Sequence, residues 1–96
     1  MPAEVRDNAA LNRFELDADG HTAVAHYKPS PGVITLTHTE VPQELSGRGI
    51  GSTLARGALA LARAQGLKVV VKCPFIAAYM AKHTEFNDLL LHGQPG

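Results

Sequence analysis

The sequence predicts a single α/β domain with a mixed sheet. Antiparallel N-terminal strands lead into a parallel β-α-β unit and then a short C-terminal helix. Three observations predict it. Two alternating apolar segments flank the Asp19-Gly20 pair, the pattern of a tight hairpin. A β-branched run, VITLTHTEV at 33–41, is followed by a glycine-rich loop, an alanine-rich amphipathic stretch and a second apolar run, LKVVVKC at 67–73. Strand, helix and strand at that spacing close as a right-handed parallel crossover. The 96 residues suffice for one core.

The elements follow in order. Residues 1–10 are polar and alanine-rich with no clear period, and are expected to form a flexible arm. The domain proper is placed at 11–92. Phe14 and Leu16 alternate with Arg13, Glu15 and Asp17 on a half-buried strand, and Ala23, Ala25 and Tyr27 repeat that spacing after the turn. PSPG at 29–32 turns the chain into the 33–41 strand, which Pro42 ends for want of an N–H. A helix is expected over 50–65, with Ile50, Leu54, Gly57, Ala58 and Leu61 on its buried face. Ser52, Arg56 and Arg63 mark its polar side, where Leu59 also falls. Gly66 ends it. Pro74 opens a second helix over 75–82. FNDLLLH adds a last strand or turn, and the tail at 93–96 frays.

Composition narrows the function. Formal net charge is zero, against the basic balance expected of a general nucleic-acid binder. No apolar run is long enough to span a bilayer, and the N-terminus lacks a charged-then-apolar signal pattern. Cys73 is the single cysteine and forms no internal disulfide. These point to a cytoplasmic protein. His21 and His26 are too far apart to ligate one metal from one strand face, and no Cys/His pair has structural zinc spacing, so no metal is expected.

The loop SGRGIG at 46–51 carries the sharpest signal. Glycines at 47, 49 and 51 stand where a strand gives way to a helix. There they allow a phosphate to approach the unpaired N–H groups of the first helical turn. The alternative is a flexible segment that merely feeds the helix. The position itself, outside the carboxyl end of a sheet strand, is where open α/β sheets bind ligands. A P-loop is excluded, because Gly51 is followed by Ser52-Thr53 with no lysine; a dinucleotide fingerprint fails because its third-glycine position holds Ser52 or Ile50.

The order hairpin, long strand, GRGIG loop, helix, strand, short helix resembles the core of the GNAT acyltransferase superfamily. Its coenzyme A loop runs Gln/Arg-x-x-Gly-x-Gly/Ala; Gly49 and Gly51 fit the small positions, while Ser46 stands where glutamine or arginine is usual. Three further pieces, HTEVP at 38–42, GRGIGSTL at 47–54 and KCPFIAAYMAKHTEF at 72–86, are similar to the small, stand-alone YjdJ-type GNAT family. The resemblance covers residues 13–90.

It implies acetyl-coenzyme A as acyl donor. The pyrophosphate would rest on backbone N–H groups from Gly47 through Arg48, Gly49, Ile50 and Gly51 to Ser52, with Arg48 adding charge. The pantetheine arm would pair with backbone near Thr39 and Val41. The superfamily's usual tyrosine acid falls on Met80, not Tyr79. The resemblance instead points to His38 and Cys73, with Cys73 as acetyl acceptor and His38 as base, or both serving direct transfer; Glu40 is a further base candidate. From the residues alone, Cys73 reads first as a small buried apolar group, and only the resemblance gives it a catalytic role. His38 likewise reads as a half-buried histidine on one strand face with Ile34 and Leu36. Two functions follow: an N-acetyltransferase acting on an unidentified amine, or a coenzyme A-binding module or sensor without turnover. Either is expected as a monomer or weak homodimer.

Overall fold

In the computed structural model, which describes residues 4–91, five strands lie side by side in chain order. They are β1 (Arg6–Asn8), β2 (Arg13–Ala18), β3 (His21–Ser30), β4 (Val33–Glu40) and β5 (Lys68–Val71). The first four pair antiparallel, and β5 runs parallel to β4. Helix α1 (Ile50–Ala64) makes the β4–β5 connection, and α2 (Pro74–Lys82) follows β5. A six-residue 3₁₀ segment, Thr84–Leu89, then brings Leu90 against the outer edge of β5 as a parallel bridge to Val69. The tail expected at 93–96 lies outside the described residues.

Strand alternation builds the core. Phe14, Leu16, Ala23, Ala25, Tyr27, Ile34, Leu36, Val69 and Val71 share the face that α1 and α2 cover. The other face carries no helix among the described residues, and its side chains are mostly polar. Glu15 lies on it, yet is only 4% exposed, because Arg6, Asn8 and Arg13 close around its carboxylate.

Two expectations are corrected. Part of the supposed N-terminal arm is ordered: Arg6–Asn8 adds an edge strand to β2. Its anchors are tertiary. The Tyr27 hydroxyl donates to Asp7 at 2.6 Å, and Gln65 donates to the same carboxylate at 3.2 Å. Burial, and then that bond, push the Tyr27 phenol up to about 12. Val5 packs where α1 carries Gly57; a Cβ there would sit 2.3 Å from a Val5 methyl.

Leu59 is fully buried rather than on the polar side of α1. The buried stripe is Leu54, Ala55, Ala58, Leu59 and Ala62, rotated from the expected one, with Ile50 and Leu61 only half-buried. Three alanines bring the helix backbone close to the sheet, and the two leucines fill the flanks of that contact.

A β-bulge in β4 sets the position of the site. Tyr27 pairs with Leu36, but the next pair along β3 is His26 with His38, so Thr37 is an extra residue. Its hydroxyl donates to the His26 carbonyl at 3.3 Å. Beyond an extra residue the faces exchange. Thr39 therefore joins Ala25 on the helix-covered side, while His38 and Glu40 join His26 and Val24 on the open side.

Candidate active site

The sheet opens between its last two strands. The register of β4 with β5 ends at Leu36–Val71, and the amides of Lys72 and Cys73 both donate to the Leu36 carbonyl, at 2.8 and 3.1 Å. Pro74 then starts α2 at its first helical position. From Thr37 onward no strand among the described residues pairs with β4 on that side. The result is a gap floored by backbone and flanked by Cys73 and the β4 end.

The glycine loop lines a groove together with Val41, just past the end of β4, and Phe75, in the first turn of α2. A short 3₁₀ turn, Gln43–Leu45, buries Leu45 completely and fixes the start of the loop. Gly47 and Gly49 adopt φ of 80° and 72°, the left-handed region that glycine enters without strain. Gly49 caps α1, and no side chain caps the helix with a hydrogen bond. Its first-turn N–H groups at Ile50, Gly51 and Ser52 precede the first intrahelical bond, from Thr53 to Gly49. They border a groove of about 260 Å³ lined by Val41, Leu45, Gly47, Gly49, Ser52 and Phe75, among others. This is an uncapped helix N-terminus opening on to a groove, a setting in which backbone N–H groups favour anions.

Gly51 has a separate cause. A Cβ there would stand 2.6 Å from the Phe75 ring, so glycine admits that ring against the first turn of α1. Phe75, 43% exposed, is a wall of the groove rather than a core residue. Arg48 lies in the loop as expected, but its guanidinium pairs with Asp19 in the β2–β3 turn. A sequence separation of 29 residues hid that contact.

The three candidate catalytic residues divide between the two faces. Cys73 is 2% exposed, and its sulfur lies 3.1 Å from the Thr39 hydroxyl. His38, expected beside Ile34 and Leu36, stands on the open face with its side chain 63% exposed. The cause is the Thr37 bulge. Glu40 points the same way, its Oε2 3.3 Å from His38 Nε2. The same oxygen lies 3.6 Å from His26 Nε2, a residue the sequence reading considered only as a metal ligand. Among the described residues no group of three or more His, Cys, Asp or Glu side chains is placed to hold a metal ion.

Tyr79 is buried and stacks on His83 at 3.9 Å between ring centroids. Burial raises its phenol above the usual range, so it stays protonated at neutral pH. Met80 is buried and lines a separate, largely apolar cleft of about 300 Å³ between α2, the 3₁₀ segment and β5. That cleft is larger than the loop groove but bears no catalytic candidate.

A mixed five-stranded sheet that splays beside an uncapped, glycine-lined helix N-terminus is the architecture of the GNAT fold. The profile of the GCN5-related N-acetyl-transferase family matches residues 13–89, and the chain belongs to that family. It is 38% identical to Protein NATD1 of Gallus gallus over 97 aligned positions, covering 98% of this chain and 87% of that protein. Its fold matches the NMR solution structure of a GCN5-like protein from Staphylococcus aureus with a TM-score of 0.68 and 26% identity, covering 97% and 96% of the two chains. No helix among the described residues is long and apolar enough to cross a membrane.

Proposed function

We propose that the chain is an acetyl-coenzyme A-dependent N-acetyltransferase of the small, stand-alone YjdJ type, acting in the cytoplasm on an amine. One observation carries the reading: the uncapped first turn of α1, with positive-φ glycines at 47 and 49, lies beside the gap between β4 and β5. The pyrophosphate rests on the N–H groups from Gly47 to Ser52. The pantetheine arm runs along the unpaired side of β4 at Thr39 and Val41, so the thioester reaches the gap.

The division of side chains between faces supports direct transfer. The acceptor amine enters from the open face, where His38 is accessible and Glu40 stands beside it. The amine nitrogen bonds to the thioester carbonyl carbon, His38 takes the proton it loses, and the carbon–sulfur bond breaks. Coenzyme A leaves as a thiolate that takes a proton from solvent, and His38 returns its proton to solvent after product leaves. The Glu40 carboxylate offsets the charge His38 acquires. Cys73, buried behind the gap against Thr39, bounds the thioester from the helix side.

Coenzyme A titrations followed by amide chemical shifts test the placement, with shifts expected at residues 47–52 and at Thr39 and Val41. Gly49→Asn retains a residue that tolerates the left-handed conformation but sends a side chain into the groove. It should weaken coenzyme A binding roughly tenfold. Unchanged affinity in the folded variant rejects the placement. Binding without acetyl transfer to any member of a broad primary-amine panel would favour the binding-module reading.

A further inference from the structure

On the open face beside the gap, one carboxylate stands between two imidazoles. Glu40 Oε2 is 3.3 Å from His38 Nε2 and 3.6 Å from His26 Nε2. The two rings lie 13° from parallel with centroids 6.0 Å apart. His26 and His38 are direct cross-strand partners only because Thr37 is bulged out of register. A regular β4 would pair His26 with Thr37 and turn His38 toward the helices.

We infer that His26 is a positioning residue for His38 and acts through Glu40; the inference rests on the reading of His38 as the base. A proton acceptor must be held within a fraction of an ångström of its working position. The His38 side chain, 63% exposed, has little packing to hold it, and Glu40, 59% exposed, has no more. His26 is better fixed. It is half-buried, and its side chain is 33% exposed. Its carbonyl accepts the Thr37 hydroxyl, and Arg13 and His38 flank it across the sheet. Its ring backs one face of His38, and its Nε2 gives the Glu40 carboxylate a second neighbour on the side away from the gap. Restraint passes from His26 to Glu40 and from Glu40 to His38. At these separations the contacts are electrostatic rather than tight hydrogen bonds, so they steer side chains without locking them.

Two substitutions separate ring packing from the nitrogen. His26→Phe keeps the flat ring and removes Nε2. His26→Gln removes the ring and keeps an N–H in a similar place. Three measurements are made on wild type and both variants: the His38 χ1 couplings in the free protein, coenzyme A affinity, and acetyl transfer from acetyl-coenzyme A to a lysine-containing peptide. His26→Phe should average the χ1 couplings and lower kcat roughly tenfold, a fraction of what a base contributes. Coenzyme A affinity and the unfolding midpoint should not move. His26→Gln should restore both the couplings and kcat.

Unaltered His38 couplings in His26→Phe, or a Gln variant as impaired as the Phe variant, overturn the inference. His38→Ala is the separate control. If it transfers acetyl at the wild-type rate, the base assignment fails. The χ1 couplings, which need no turnover, still decide whether His26 positions His38.

Discussion

The sulfur of Cys73 lies 3.1 Å from the Thr39 hydroxyl on the helix-covered side of the sheet, while His38, the residue just before Thr39, projects from the other side. A base aimed at this thiol would have to reach through the sheet plane. The arrangement instead leaves His38 facing an incoming amine.

Direct transfer predicts unequal losses. His38→Ala should lower kcat about 100-fold, the low end of what general-base catalysis supplies. Cys73→Ala should stay within about threefold of wild type and lose about 1 kcal/mol of stability from the small void. Intact-mass analysis of stopped reactions should detect no acetyl adduct at Cys73. A kinetically competent adduct, together with an inactive Cys73→Ala variant, would replace direct transfer with an acetyl-cysteine intermediate.

The Arg48–Asp19 pair ties the glycine loop to the β2–β3 turn. It is exposed and contributes little to stability. Asp19→Asn should free the guanidinium for the coenzyme A phosphates and tighten binding roughly twofold to fivefold, most clearly at low salt. Calorimetry at two ionic strengths reads this. Weaker binding in the variant would mean that the pair holds the loop in its binding shape.

Gly57 reverses the usual helix rule. Replacing a mid-helix glycine by alanine ordinarily stabilises by up to about 1 kcal/mol. Here the new Cβ would meet Val5 atoms at 2.3 and 2.5 Å. Gly57→Ala should therefore destabilise by about 1 kcal/mol or more, the cost of overpacking less the propensity gain. Val5→Ala in the same chain should recover most of the loss. Urea unfolding of the four proteins in that cycle measures the coupling; simple additivity would show that Val5 does not pack on Gly57 in solution.

Acid stability should depend on Glu15. A hydrogen bond from Arg13, then those from Asn8 and Arg6, hold its carboxyl below the usual carboxylate range against the opposing effect of burial. A depressed folded-state value adds stability that is complete above the unfolded value, about 4.3, and is lost as pH falls through and below it. Glu15→Gln should cost about 2 kcal/mol at pH 7 and flatten the decline toward pH 3. Equal slopes for variant and wild type over that interval would remove Glu15 as the acid-sensitive group.

Features that depend on near neighbours in the chain are legible in the residue order. Alternation at Phe14 and Leu16, the Asp19-Gly20 turn, the β-branched run from Val33 and the stops at Pro42 and Gly66 locate the strands from β2 to β5 and both helices to within a residue or two. The spacing of Gly47, Gly49 and Gly51 marked the loop, because a chain needs glycine where backbone turns left-handed or another group comes close.

The remaining features depend on partners far apart in the chain. Nothing within residues 1–10 specifies a strand; Tyr27, Gln65 and the space above Gly57 do. Leu59 is buried because the face that α1 turns to the sheet runs through Leu54, Ala55, Ala58, Leu59 and Ala62, not through Ile50 and Leu61. The Thr37 bulge has no period to reveal it, since one extra residue inverts strand parity without changing composition. That inversion separates His38 from Cys73 and sets His38 beside His26, because residues that share a sheet face are chosen by register across strands, which no single strand encodes.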